Sequence, residues 1–415
     1  MKPLACLLLL LCVVYPAAAE AQGWTVLEYD ANGRVVGSRN NTSDAGDDDS
    51  VSGARQQAVE PNELLVVDPT AGQLAELRGA GFGILRRSVL TGLGFTLVEI
   101  STPPGMSVPE AMSFISDRYP ELLVETNDLL DLSGNGYRDR QQAQSIDFTR
   151  DLSGWGDVPD SCGAGIVLGQ IDGFVDVDHA ALRGKKLIYE SFLKPDRVPA
   201  AEDHGTAVAV MLIGRAFNDR SSGLLPGAKL FAANIFERRN GKDVGNLAAL
   251  VRAIDWLATN NVRVANLSIA GGDNKIMRLA INRALQKGLL LVAAAGNNGP
   301  NAPPAWPAAH PDSFAVTAID KTMRLYRHAN RGAYIDFAAP GVDIPTQTPR
   351  GLKNQSGTSF AAPFVTAMVA LHLDAGFEAD PELIRRSLQR YSMDLGTSGK
   401  DDVYGWGLVR LRPSC

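Results

Sequence analysis

Cysteine is scarce in this 415-residue chain: there are four, and two of them, Cys6 and Cys12, sit in the first dozen residues. No cysteine and histidine cluster has zinc-ligand spacing, so a zinc module is excluded. Basic runs are missing as well. Lys and Arg number 40 against 46 Asp and Glu, a net charge of −6. That balance argues against nucleic acid, which is bound mainly through basic surface, and leaves no electrostatic footprint for a membrane. The apolar run that opens the chain, Leu4 to Val14, is too short for a permanent membrane span. There are no internal repeats. What remains is the balance of a globular protein with a full core, 45% apolar and 21% charged, long enough for two or three domains.

The opening run has another use. Lys2 gives a positive start, Pro16 breaks the helix and Ala17-Ala18-Ala19 supplies small residues for cleavage. This is the pattern of a secretory signal over 1–19, and it predicts a secreted or periplasmic product with no membrane attachment after cleavage. Residues 20–60, with Asn40-Asn41-Thr42-Ser43 and Asp47-Asp48-Asp49, have few large apolar residues and predict a mobile segment. Over 61–132 the order is strand, helix, strand, strand, helix, strand, the split arrangement of a small α+β ferredoxin-like domain. Residues 133–160 are polar and read as a linker.

Beyond 160, buried strands alternate with helices. The strands at 166–171, 229–236, 263–269, 289–294 and 314–318 are mostly continuous apolar runs. That predicts an α/β fold, a parallel sheet covered by helices on both faces. With the signal removed, Cys162 and Cys415 are the two cysteines left. An oxidising compartment permits a disulfide between them, and two unpaired buried thiols are the alternative.

Three residues of this segment carry chemistry together. Asp172 ends the strand Ile166–Ile171, where sites form in open α/β sheets. His204 stands in Asp203-His204-Gly205-Thr206 before an apolar helix. Ser359 begins a long apolar helix within Ser356-Gly357-Thr358-Ser359-Phe360-Ala361-Ala362-Pro363, where free amides favour negative charge and small neighbours allow close approach. A serine is unreactive without an adjacent base, and the base needs an orienting acid. Asp, His, Ser is also the chain order that separates one triad class from the other two. Asn297, in Ala295-Gly296-Asn297 after another buried strand, supplies an amide that can donate to an oxyanion.

With these motifs, residues from about 163 to 411 resemble the subtilisin family. The matching runs are Ile171-Asp172-Gly173, His204-Gly205-Thr206, Asn266-Leu267-Ser268, Ala295-Gly296-Asn297 and Gly357 through Pro363, with Leu225-Pro226-Gly227-Ala228 and Ala339-Pro340-Gly341 as structural matches. The resemblance implies a serine endopeptidase acting through an acyl-enzyme. Asp172 would orient and charge-stabilise His204, His204 would be the general base, Ser359 the nucleophile and Asn297 the oxyanion donor. Ser268, Ile269, Ala270 and Gly271 would line the cleft and pair with a protein or peptide substrate as an added strand, beside Gly296. Residues 61–132 are similar to the propeptide that folds such enzymes and then blocks their cleft as an intramolecular inhibitor, with self-cleavage between about Asp128 and Arg150.

No cofactor is implied. Calcium is frequent in that family, but no acidic cluster here matches a site. Two departures stand out. Gly173 replaces the Ser or Thr that usually follows the aspartate, so a hydroxyl near the carboxylate is lost. Ala270 replaces a cleft glycine, which predicts a narrower pocket and small or medium apolar residues on the acyl side of the cut. His179, His310, His328 and His372 lack partners in sequence and read as structural. The alternatives are a non-catalytic peptide-binding protein on the same fold, which would have lost one of the four site residues, and an α/β-hydrolase, which would place the histidine last.

Overall fold

The computed structural model describes residues 24–29, 35–41, 55–133, 148–216 and 222–415. Residues 1–19, where an export segment is expected, and most of the expected linker, residues 134–147, lie outside them.

The N-terminal module begins with β1 (Trp24–Tyr29), β2 (Val35–Asn41) and β3 (Arg55–Val67). It continues through α1 (Ala71–Gly79), β4 (Gly83–Leu90), β5 (Phe95–Ser101), α2 (Val108–Arg118) and β6 (Val124–Leu132). Strands β6, β3, β5 and β4 lie side by side in that order, all antiparallel, as a ferredoxin-like sheet requires. Both helices start on a capping box, Thr70 with Gln73 and Ser107 with Glu110, so their first amides are satisfied locally.

Residues 20–60 differ from the expectation. β1 pairs with both β2 and the first half of β3, and Leu27 is fully buried in the module's core with Val59, Leu64 and Ile115. Thr25 and Leu27 point inward while Val26 and Glu28 are half-exposed, the two-residue alternation of a strand with one buried face. The polar stretch around residue 45 masks that signal in any window wide enough to include it.

The second unit opens with α3 (Thr149–Ser153), β7 (Val167–Asp172), β8 (Lys186–Ser191), α4 (Glu202–Ile213) and β9 (Lys229–Asn234). Next come the hairpin β10 (Phe236–Arg239) and β11 (Lys242–Asn246), α5 (Leu247–Thr259), β12 (Val264–Leu267), β13 (Ile269–Ala270), α6 (Lys275–Gln286) and β14 (Leu290–Ala294). β15 (Phe314–Ile319), β16 (Phe337–Pro340), the hairpin β17 (Ile344–Thr348) and β18 (Gly351–Gln355), α7 (Thr358–Asp374), α8 (Pro381–Gln389), β19 (Ser392–Met393) and β20 (Leu408–Val409) complete it.

Its sheet runs β19-β20-β16-β15-β14-β12-β7-β9-β8, parallel except for the β19–β20 pair. α4 and α7 pack on one face through Val208, Phe360 and Val365; α5 and α6 pack on the other through Leu250, Ile254 and Ile281. This is the α/β sheet that the apolar runs predict. The linker reading fails beyond residue 148. Trp155 is buried with its indole N–H on the Leu224 carbonyl, and the Leu411 N–H donates to Ser153, so α3 belongs to this unit.

The two units share structure. One face of the ferredoxin-like sheet carries α1 and α2; the other, with Leu65, Phe95 and Leu97, packs into the core around α5. β6 also continues out of the module to lie between β11 and β13. Charge crosses the seam, buried at Arg239 and Arg252 and half-buried at Lys194. Arg239 is held bidentately by Glu60 at 3.0 and 2.7 Å and also bonds Glu237, while Arg252 pairs with Glu99 and Lys194 with Glu63. Burial pushes the Glu60 carboxyl up, but the hydrogen bonds and charge of Arg239 outweigh it and hold Glu60 below the usual carboxylate value. At Glu63 burial wins over Lys194, and its carboxyl is raised.

Candidate active site

The site forms where β7, α4 and α7 meet. β7, an inner strand between β12 and β9, delivers Asp172, buried, at its carboxyl end. α4 delivers His204 in its first turn, slightly earlier than the sequence predicts, because the helix begins at Glu202. The Gln170 side chain donates to the Gly205 carbonyl at 2.9 Å and ties the two elements together. Gly205 admits no side chain: a Cβ there would stand 2.6 Å from the carbonyl oxygens of Gly173 and Phe174. α7 delivers Ser359 in its first turn, and Pro363 four residues on lacks the N–H that would otherwise occupy the Ser359 carbonyl.

The three side chains form one hydrogen-bonded line. His204 Nδ1 lies 2.7 Å from Asp172 Oδ1, and His204 Nε2 lies 2.8 Å from Ser359 Oγ. Nδ1 carries the proton in this arrangement, because the carboxylate accepts, which leaves Nε2 free to take the hydroxyl proton. Asp172 Oδ1 also receives the Gly173 N–H at 2.7 Å, whereas the buried Oδ2 has no partner.

Asn297 sits three residues past β14. Its Oδ1 accepts from the Thr358 N–H at 3.0 Å and the Thr358 hydroxyl at 3.1 Å, which leaves Nδ2 turned away, sealed from solvent and without a partner. Gly296 has φ +100°, and a Cβ there would stand 2.7 Å from the Asn330 amide nitrogen and 3.0 Å from the Ala305 methyl. Thr358 and Asn330 were not singled out in the sequence. Thr358 lies inside the serine motif, but its partner is 61 positions away, and Asn330 has no local signal at all.

The strand expected to line the cleft, β13, is paired by the chain itself. The Ser133 N–H donates to the Ser268 carbonyl at 3.0 Å, Leu132 pairs with Ile269 and Asp131 with Ala270. On the other side Asp131, Leu130 and Leu129 pair with Val244, Gly245 and Asn246. β6 is thus the middle strand of three. A Cβ on Gly271 would stand 2.5 Å from Leu130 Cδ2, so that glycine is the floor on which Leu130 rests. Ser268 is fixed from below by its N–H on the Ile171 carbonyl and by the Asn266 amide, itself bonded to Thr366 of α7.

The subtilase family model matches residues 163–407. This chain belongs to the subtilase family. Among relatives, the minor extracellular protease Epr of Bacillus subtilis is 33% identical over 50% of this chain and 32% of its own length. The thermophilic serine proteinase of Bacillus sp. strain AK1 is 34% identical over 57% of this chain and 58% of its own. The chain therefore spans less than two thirds of these subtilases. The solved structure of fervidolysin from Fervidobacterium pennivorans, described as a keratinolytic enzyme related to subtilisin, superposes with TM-score 0.67 at 22% identity, covering 85% of this chain and 60% of that one; it establishes the fold.

The remaining expected residues lie away from this subtilase centre. Cys162 and Cys415 are bonded to each other across 253 positions, with Cα atoms 5.1 Å apart. His179 and His310 accept from backbone amides two residues on, His328 meets Arg327, and His372 bridges Met368 and Ser387. Among the described residues, no three His, Cys, Asp or Glu side chains gather as a metal ligand set, and no helix is long and apolar enough to cross a membrane.

Proposed function

We propose that this chain is an exported serine endopeptidase, made as a precursor whose residues up to Ser133 fold the catalytic unit, block its cleft and are cut off by it. The observation that carries the reading is the Asp172–His204–Ser359 line, bonded at 2.7 and 2.8 Å, with an unpartnered Asn297 amide beside it. In the reaction Ser359 Oγ attacks the substrate carbonyl carbon as its proton passes to His204 Nε2. Asn297 Nδ2 and the Ser359 N–H receive the developing oxyanion. The imidazolium, steadied by Asp172, then protonates the leaving amine, and water repeats the sequence to free the acid.

Self-processing after Ser133 is supported by the pairing of β6. Ser133 is the residue whose N–H meets Ser268, the first of the cleft residues, and its small side chain suits the narrow pocket that Ala270 predicts. Export is supported by the signal pattern at 1–19, and by the extracellular station that the name of the Bacillus subtilis relative states for that protein.

The test is Ser359→Ala. It should abolish peptide hydrolysis and labelling by a fluorophosphonate, and the mass of the secreted product should be that of the precursor without its signal. Hydrolysis or trimming that persists in the variant, in a protease-free host, would overturn the assignment.

A further inference from the structure

We propose that Arg239 and Asn246 form a carboxylate-binding site on the catalytic unit, filled by Glu60 in the precursor and, once the N-terminal module has gone, by an acidic residue of a protein substrate on the acyl side of the cut. This rests on the endopeptidase reading above. Glu60 belongs to β3 of the module, whereas the groups that hold its carboxylate belong to the catalytic unit. Arg239 Nη1 donates to Oε2 at 3.0 Å and Nη2 to Oε1 at 2.7 Å, the parallel two-bond fit of a guanidinium to a carboxylate. Asn246 Nδ2 donates to Oε1 at 3.1 Å. Its orientation is fixed, because Asn246 Oδ1 already accepts the Ala249 N–H at 2.9 Å as the cap of α5. Three donors thus converge on one carboxylate, and Glu60 and Arg239 are each 2% exposed.

The site is built without its occupant. Glu237, two residues before Arg239 on β10, accepts from Arg239 Nε at 2.8 Å and aims the guanidinium. The β10–β11 hairpin closes by local rules: Asn240 and Gly241 have φ of 47° and 79°, the two-residue turn whose twist suits a hairpin. Arg197 lies 3.5 Å from Glu237, and its buried Nε and Nη1 make no hydrogen bond. Two guanidinium groups against one carboxylate leave the site net positive, and Lys194, which Glu63 covers in the precursor, adds to it. Burial opposes the charge on Glu60, yet Arg239, Lys194 and Arg197 together hold its carboxyl below the usual value, so the site favours an ionised acid. The location fits a substrate. Asn246 is the β11 residue paired with Leu129, the fifth residue of the chain counting back from Ser133. A substrate strand laid in the place of β6 passes the site at its fifth residue and beyond, where β3 no longer constrains its path.

The experiment uses the enzyme processed from the full precursor, with active sites counted by titration. Two chromogenic peptides, Glu-Glu-Glu-Leu-Asp-Leu-Ser and Gln-Gln-Gln-Leu-Asp-Leu-Ser, carry p-nitroaniline on the serine carboxyl and report kcat and KM at low salt. The glutamate peptide should exceed the glutamine peptide by about tenfold in kcat/KM, with the gain in KM, as expected of charge-assisted bonds made before the chemical step. Arg239→Lys keeps the charge but not the fork, and Asn246→Ser keeps the helix cap but not the donor. Each should cut the ratio by about threefold or more, the scale of one lost hydrogen bond. The ratio compares two substrates on one preparation, so a loss of folded enzyme does not mimic the effect. A wild-type ratio near one would overturn the inference. So would a ratio that both variants leave unchanged, which marks general attraction to a positive surface. If no peptide is cut and Ser359 takes no fluorophosphonate, the endopeptidase reading itself falls, and this one with it.

Discussion

Asn297 has one end of its amide committed and one end free. Thr358 occupies Oδ1 with two donors, so the side chain cannot flip without losing both bonds, and the Nδ2 that remains is buried with nothing to donate to. A buried donor in that state is costly unless an acceptor arrives during the reaction. Asn297→Ala should therefore lower kcat by about 10²–10³ with KM little changed, the loss known for removing the corresponding donor in a subtilisin itself. Steady-state kinetics on a peptide amide checks it; an equal rise in KM would assign Asn297 to ground-state binding instead. Asp172, His204, Ser359 and Asn297 were legible because each stands in a short run of small residues at the end of a strand or the start of a helix. Thr358 and Asn330 were not, since each acts through a neighbour that only the fold supplies.

At the scale of elements, β6 does two jobs with adjacent residues. Leu129 to Leu132 pair with β11 and β13, while Asn127 Oδ1 accepts the Ala248 N–H at 3.1 Å and caps the first turn of α5 next to that helix's own cap, Asn246. Asn127 also donates to Glu63, so the same side chain fixes β3. Asn127→Ala should weaken the hold of the N-terminal module by about 1 kcal/mol, the usual worth of a helix cap. The lag before activity appears in freshly made enzyme should shorten accordingly, and an unchanged lag would show that the contact is dispensable. The ferredoxin-like order of 61–132 and the five apolar strands beyond 160 were readable from periodicity. β8 was not, because Lys186, Glu190 and Ser191 make an edge strand look like a loop, and the β10–β11 hairpin was hidden by Arg238, Arg239 and Lys242. β1 and β2 were lost in the polarity of their surroundings.

Across the whole molecule, the two units are joined by carboxylates on one side and cations on the other. Glu60 and Glu63 answer pH in opposite senses. The Glu60 carboxyl is held below its ordinary value of 4.5, so its contribution is present above that value and lost as pH falls through its folded pKa. Glu63 is raised, so its contribution is present below the ordinary value and lost as pH rises through the raised one. In an intact Ser359→Ala precursor, Glu60→Gln should destabilise at pH 7 by about 3–5 kcal/mol, since it leaves the Arg239 guanidinium buried with half its partners. Glu63→Gln should change little, within about 1 kcal/mol, because its partner Lys194 is half-exposed. Denaturant titrations at neutral and acid pH distinguish the two; equal losses would mean that the Arg239 cluster is not what holds the units together. Removal of the N-terminal module also withdraws the middle strand of three, so β11 and β13 are left facing each other across a gap one chain wide. Whatever refills that gap must arrive with both of its own backbone edges unspent. A helix has consumed its amides internally and an inner sheet strand has given them to its neighbours, so the vacancy discriminates by conformation before any side chain is consulted. Folded proteins should therefore be nicked at their loops and ends, and consumed only as they unravel.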